Sequence, residues 1–377
     1  MIQAMVNIYR LGIKELWGII RDPIMLFLIA YCFTCDIYIA ATALSDTLNR
    51  ATIAIVDEDD SPLSRQISDA FYPPMFAPPV KLYSMDDVDA GMDTDKYTFS
   101  LNIPPNFQQD ILNNNQPQIQ LNIDATRMGQ AFVGNGYITQ MITDEVNRYI
   151  QRHSEPQVLP VNVVVRAAFN PNLTRSWFGS VMEIINMVTT LSIILTGAAL
   201  MREREHGTID HLLAMPVSPL QIMLSKIWSM GLVVLFSTWI ALIVVVQGWL
   251  KVPIAGSIWL FLIGACLHLF VTTSLGIFMA TLTRSTSQFA ILLILILLPL
   301  QLLSGGSTPR ESMPEVVQTI MLAAPTTHFV ELGQAILYRG AGLETVWKSY
   351  AWLTAIGAVF FTFSLFRFRK ALVNMGS

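Results

Sequence analysis

Met201-Arg-Glu-Arg-Glu-His-Gly-Thr-Ile-Asp-His-Leu-Leu-Ala-Met-Pro216 lies between two strongly apolar stretches, and its reading decides the class of the whole chain. It begins as a charged exit from a bilayer and continues as a short capped helix. Thr208 can cap that helix, and Asp210 falls in its first turn, where a carboxylate meets the positive end of the helix dipole. Ile209, Leu212 and Leu213 share an apolar face, and Met215 is biased out of helical backbone because Pro216 follows it. A helix this short is marginal in water and needs a surface to pack on. That surface is expected outside the bilayer.

Composition agrees with a membrane setting. Of 377 residues, 53% are hydrophobic and 13% charged, with mean hydropathy +0.50, the profile of a polytopic membrane protein rather than a soluble enzyme. The net charge of −4 is unevenly spread: residues 46–175 hold 16 acidic against 9 basic side chains, and the remainder 11 against 14. An acidic polar block is thus inserted into a slightly basic membrane part, and nothing points to nucleic acid. Cys32, Cys35 and Cys266 all lie in apolar stretches, so the polar block cannot rely on disulfides. Cys32-Phe-Thr-Cys35 has C-x-x-C spacing without a βαβ setting or a second ligand pair, so no metal site is expected.

Six stretches reach the ~20 residues that a bilayer demands. They cover residues 24–44, 178–201, 224–247, 257–282, 286–303 and 346–366. Residues 1–22 differ, because Ile2, Met5, Val6, Tyr9, Ile13, Leu16, Trp17 and Ile20 repeat at helical spacing with Gln3, Asn7, Arg10 and Lys14 opposite. This predicts an amphipathic helix in the headgroup layer. Ala41-Thr-Ala43 resembles a signal-peptidase site, but the apolar stretch before it is long and carries Asp36, which favours an uncleaved first span. With the N-terminus inside, cytoplasmic flanks hold 10 Lys and Arg, among them Arg10, Lys14, Arg202, Arg204, Lys226 and Arg284. The short outer loops hold 4: Lys251, Arg310, Arg339 and Lys348. The positive-inside rule then gives N-in and C-in, with residues 45–176 extracytoplasmic.

Residues 315–337 are apolar enough to tempt a seventh crossing, yet Pro325-Thr-Thr-His328 breaks them and Glu331 follows. A further crossing would also put Arg367-Phe-Arg-Lys370 outside. A re-entrant helical hairpin within residues 305–340 is expected instead, its broken backbone covered by protein or water. The polar block reads as an α/β domain, with strands at 52–57, 81–83, 97–103, 118–124 and 161–165 and helices at 62–72, 105–113 and 126–152.

The order of these pieces resembles the permease subunit of an ABC exporter of the ABC-2 (type V) class with a large extracytoplasmic domain. The carrying residues are Arg202-Glu-Arg-Glu-His-Gly-Thr208 through Met215-Pro216, Lys226-Ile-Trp, Val252-Pro-Ile-Ala-Gly-Ser257, Leu275-Gly-Ile-Phe, Leu303-Ser-Gly-Gly-Ser-Thr-Pro-Arg-Glu-Ser-Met-Pro314 and Ala324-Pro-Thr-Thr-His-Phe329. In the polar block, Ile103-Pro-Pro-Asn-Phe107 and Phe169-Asn-Pro171 match landmarks of the same subgroup. The likeness covers nearly the whole chain and is greatest to enterobacterial inner-membrane transport permeases encoded beside a fused ATPase and a membrane-fusion adaptor. Asp36 departs from it, because the first span of that family is generally apolar.

The resemblance implies a coupling helix over residues 207–216, set on a separate ATP-binding subunit, with Arg202, Glu203, Arg204 and Glu205 at the junction and Gly207, Thr208, Asp210, Leu212, Leu213 and Pro216 in the dock. It also implies a second permease copy (itself or a close relative), contact with membrane lipids, a periplasmic adaptor, and export of a hydrophobic or amphipathic substrate from the bacterial inner membrane. This chain lacks G-x-x-x-x-G-K-[ST], so ATP and magnesium belong to the partner and no cofactor is expected here. The remaining residues, 369–377, read as a cytoplasmic tail. Intramembrane ionisable groups are functional candidates by default, and Asp36 and Glu183 either line the translocation path or pair with neighbours. Pro325, Thr326, Thr327, His328 and Glu331 are expected mainly to satisfy backbone at the re-entrant break. An intramembrane enzyme built on Asp36, Glu183, His206, His211, His268, His328 or Glu331 is disfavoured, since no H-E-x-x-H, G-x-S-x-G or paired-carboxylate spacing is present. A non-transporting receptor that recruits an ATPase and an adaptor is the alternative function.

Overall fold

The computed structural model describes residues 2–42, 48, 50–94, 96–113, 115–124, 128–153, 175–207, 216–306, 308 and 310–375. The chain divides into two units, Met1–Thr42 with Ala168–Ser377, and Ala43–Ala167.

The first helix, α1 (Ile2–Ile20), buries Gly12 and Ile19 and leaves Ile2, Met5, Tyr9, Trp17 and Ile20 exposed. Much of the apolar stripe that the sequence assigns to the headgroup layer is therefore uncovered within the chain. Asp22 ends the following turn and caps α2 (Pro23–Tyr31), accepting the Ile24 and Met25 amides at 3.1 and 3.2 Å, with Pro23 in the first helical position. The helix then passes through a π-helical turn at Cys32–Asp36 and resumes as α3 (Ile37–Thr42). Such a turn is a local insertion that re-aims the side chains around it, here Asp36.

The polar unit runs β1 (Ile53–Asp57), α4 (Pro62–Asp69), β2 (Val80–Leu82), α5 (Met85–Asp93), β3 (Phe99–Ile103), α6 (Phe107–Leu112), β4 (Gln120–Ile123) and α7 (Met128–His153). Its sheet has the order β2-β1-β3-β4, parallel throughout except for β4, which is antiparallel to β3. Ile53 to Val56 are buried without alternation, as in a strand covered on both faces. Phe71, Phe76 and Phe99 meet edge to face in the core, and Ser61 starts α4 with a reciprocal capping box to Ser64. Helix α5 is absent from the sequence reading. Its four aspartates hide a helix that Ser84 caps and that Asp86 and Asp87 favour from the first turn. The strand expected at 161–165 lies outside the described residues.

The membrane unit continues with α8 (Arg175–Glu205), α9 (Pro219–Ile240, prolonged as a π-helical stretch to Trp249), α10 (Ile258–Leu282), α11 (Thr286–Leu302), α12 (Glu315–Met321), α13 (Pro325–Gly333, prolonged to Tyr338) and α14 (Leu343–Met375). Ser218, Ser257 and Ser285 cap α9, α10 and α11. Among the described residues, five helical stretches are long and apolar enough to cross a bilayer: Pro23–Thr42, Ser176–Glu205, Pro219–Trp249, Ile258–Leu282 and Leu343–Ala371. The chain thus has the architecture of a polytopic helical membrane protein. The sixth expected span, α11, has 17 residues and carries Pro299 in its interior.

Helices α8 and α10 meet through small and polar residues. A Cβ on Gly276 would sit 2.7 Å from the Ile193 carbonyl oxygen, so only glycine permits this approach. Beside it, the Ser192 hydroxyl donates to Thr272 at 2.6 Å, and Thr189 pairs with His268 at 2.8 Å. Lipid supplies no hydrophobic drive between helices, so close packing and such hydrogen bonds hold the seam.

Candidate functional site

Helix α8 does not stop at Met201. It runs through Glu205, so Arg202 to Glu205 form a last helical turn beyond the span expected to end at residue 201. Successive residues on a helix point about 100° apart. These four consequently reach five partners in different parts of the membrane unit. The Arg202 guanidinium pairs with Asp22 at 3.2 Å, at the start of α2. Glu203 meets Lys226 of α9 at 2.7 Å and Lys14 of α1 at 3.2 Å. Arg204 donates to the Thr283 carbonyl, just past α10, at 2.5 Å. Glu205 accepts from the Thr286 amide at 3.0 Å and from its hydroxyl, at the start of α11.

Lys226 is the centre of this hub. It is 1% exposed and also pairs with Glu15 of α1 at 3.0 Å, so two carboxylates and two ammonium groups balance one another. Burial holds the Glu15 carboxyl above its usual range, against the opposing pull of the Lys226 charge. A cavity of about 280 Å³ adjoins the hub, bounded by Lys14, Glu15, Arg202, Glu203 and His206. The helix ends on Gly207, whose φ of +67° is the left-handed conformation of a C-terminal cap. Pro216 is exposed and precedes the Ser218–Gln221 capping box of α9. Thr208, Asp210, Leu212 and Leu213 lie outside the described residues, between two ends tied together by the Glu203–Lys226 pair.

The other candidate residues fall elsewhere in the membrane unit. Asp36 is a charged neighbour of Glu183, to which the Asn186 amide donates at 3.4 Å. The helical break lies at Leu322–Ala324, slightly earlier than the Pro325-Thr-Thr-His328 motif. Pro325 is the first residue of α13, a position that tolerates its missing N–H. The His328 Nε2 lies 2.9 Å from the Leu322 carbonyl oxygen. The Thr326 and Thr327 hydroxyls are buried without a hydrogen-bond partner, and Glu331 accepts from Ser349 at 3.4 Å. Glu15, Asp22, Thr283 and Thr286 were not singled out by sequence. Two signals could have flagged them: the i, i+4 step from Leu11 to Glu15, which places a carboxylate on the buried side of α1, and the Asp22-Pro23 helix start. Among the described residues no group of three His, Cys, Asp or Glu could hold a metal ion.

The chain matches the family described as "ABC-2 family transporter protein" over residues 4–366. It is 56% identical over 369 residues to the inner membrane transport permease YhhJ of Escherichia coli, covering 98% of both chains. It is 28% identical over 364 residues to the probable multidrug ABC transporter permease YbhR of the same bacterium, covering 96% of this chain and 97% of that one. The related YbhS, also a probable multidrug permease, is 26% identical over 184 residues, 48% of each chain. All three are named as permeases rather than enzymes. The match along nearly the whole chain, together with its long apolar helices, identifies the protein as a member of the ABC-2 transporter family, a transmembrane ABC transporter permease.

Proposed function

We propose that the chain is the permease half of an ATP-driven exporter in the bacterial inner membrane, powered by a separate ATP-binding subunit seated on residues 207–216. The carrying observation is the hub at the end of α8. A displacement at the loop is passed by Arg202, Glu203, Arg204 and Glu205 to α2, to α1 with α9, to the end of α10 and to the start of α11. An ATPase can shift a permease only by contacting its two states differently, and a loop with both ends clamped into several helices delivers that difference. In this reading six spans run N-in and C-in, the polar unit is periplasmic, and residues 305–340 form a re-entrant hairpin. Two permease copies enclose a cavity between spans one, two and five, with Asp36 and Glu183 on its wall. The names of YbhR and YbhS, both probable multidrug permeases, support a hydrophobic or amphipathic cargo. The periplasmic unit hands that cargo to an adaptor.

Affinity purification of the full chain from membranes should retrieve an ATP-binding subunit in stoichiometric amount. The double substitution Leu212→Asp, Leu213→Asp should abolish that retrieval and leave membrane insertion intact. Retention of the subunit by the double variant, or recovery of the wild-type chain without any ATP-binding subunit, overturns the dock.

A further inference from the structure

At the opposite end of α8 from the hub lies a second polar cavity, of about 440 Å³. Its walls come from Phe178 at the start of α8, the Ser304-Gly305-Gly306 turn with Arg310, the α13 face of Thr327 and Glu331, and Arg339. Thr327 is 1% exposed and its hydroxyl has no hydrogen-bond partner. The Arg310 Nε is also buried without a partner. Among the described residues, no carboxylate pairs with Arg310 or Arg339. Buried polar groups are satisfied as a rule, and two left over on one cavity wall call for a ligand. The wall is built for this arrangement. Gly305 takes a φ of +92°, and a Cβ there would lie 3.1 Å from the Arg310 side chain, so a bare backbone lets the arginine lie flat against the turn. Phe178 stacks on Tyr338, whose hydroxyl donates to the Phe178 carbonyl at 2.7 Å, fixing the rim.

We propose that this cavity binds a phosphate ester bearing an ammonium group, the chemistry of a zwitterionic phospholipid headgroup. Guanidinium groups grip phosphate through paired, charge-assisted hydrogen bonds, which suits Arg310 and Arg339, with the Thr327 hydroxyl as a further donor. Glu331 supplies the negative partner for the ammonium. The surroundings favour a ligand with acyl chains: Ile291, Leu295, Leu298 and Leu302 form an exposed stripe at helical spacing along α11, ending two residues before Ser304. The site goes beyond the export reading, and its test needs neither ATP nor a partner chain.

The test is native mass spectrometry of the detergent-purified full chain with added phosphatidylethanolamine, and separately with glycerophosphoethanolamine and with inorganic phosphate. Phosphatidylethanolamine should be retained by the wild type, and roughly tenfold more weakly for each guanidinium removed in Arg310→Gln and Arg339→Gln. Thr327→Val should also weaken retention. It replaces a hydroxyl that lacks a protein partner, so the fold is expected to persist, and with exposed Arg339→Gln it decides the matter if the Arg310 variant does not fold. Displacement of the lipid by glycerophosphoethanolamine or phosphate at equal affinity supports the site and assigns it to a soluble phosphate compound. Equal lipid retention by wild type, Arg339→Gln and Thr327→Val overturns it.

Discussion

Lys226 shows how a single side chain can be indispensable without being a net source of stability. Its ammonium is almost fully enclosed and faces Glu15 and Glu203. Desolvating such ions costs nearly as much as their attraction returns, so the cluster holds α1, α8 and α9 in register more than it lowers the energy of the fold. Lys226→Met should destabilise the chain by about 3–5 kcal/mol, because Glu15 would lose its counter-charge and Glu203 would keep only Lys14. Adding Glu15→Leu and Glu203→Leu should restore most of that loss. Thermal unfolding of the detergent-purified variants checks both, and a triple variant as weak as Lys226→Met would disprove the account.

At the scale of elements, the N-terminal helix depends on one close approach. A Cβ on Gly12 would stand 2.1 Å from the Trp228 indole, while Tyr9 stacks on that ring at 6.1 Å and the indole N–H donates to the Ile8 carbonyl at 3.2 Å. Gly12→Leu should lift α1 from α9, costing about 1–3 kcal/mol as overpacking does, while the remaining spans keep their packing. Limited proteolysis would then cleave near the N-terminus faster than in the wild type, with unchanged protection elsewhere. If α1 relays movement from the loop, the same variant should hydrolyse ATP in the assembled transporter without export. Helix starts are the most legible elements. Asp22-Pro23, Ser61-Pro62 and Ser218-Pro219 each combine a side-chain cap with a proline in the first turn, and each begins a helix as the local chemistry dictates.

For the whole molecule, the open quantity is a parity set by α11. Its 17 residues rise about 26 Å, a few ångströms less than the ~30 Å hydrocarbon core, and Pro299 removes one of its hydrogen bonds. If α11 crosses, the end of α14 lies on the same side as the end of α8. If it does not, they lie on opposite sides. In a background of Cys32→Ser, Cys35→Ser and Cys266→Ser, cysteines placed at His206 and Lys370 should both resist a membrane-impermeant maleimide in intact spheroplasts, while one at exposed Tyr83 should react. Labelling of the Lys370 position alongside Tyr83 would remove α11 from the count of crossings.

Hydropathy and periodicity alone marked five apolar stretches that form helices long enough to cross a bilayer, the helix over residues 2–20 and the polar block with its α/β elements. These follow from short-range preferences of the backbone and from transfer of whole segments into lipid, both written locally in the chain. Tertiary structure alone decided that Glu203 serves Lys226 and Lys14, that His268 meets Thr189, and that Arg310 and Thr327 share a cavity. Those partners stand far apart in sequence, and an ionised or hydroxyl group carries no local mark of its partner. Only the close packing of helices around glycines such as Gly12 and Gly276 brings them within bonding distance.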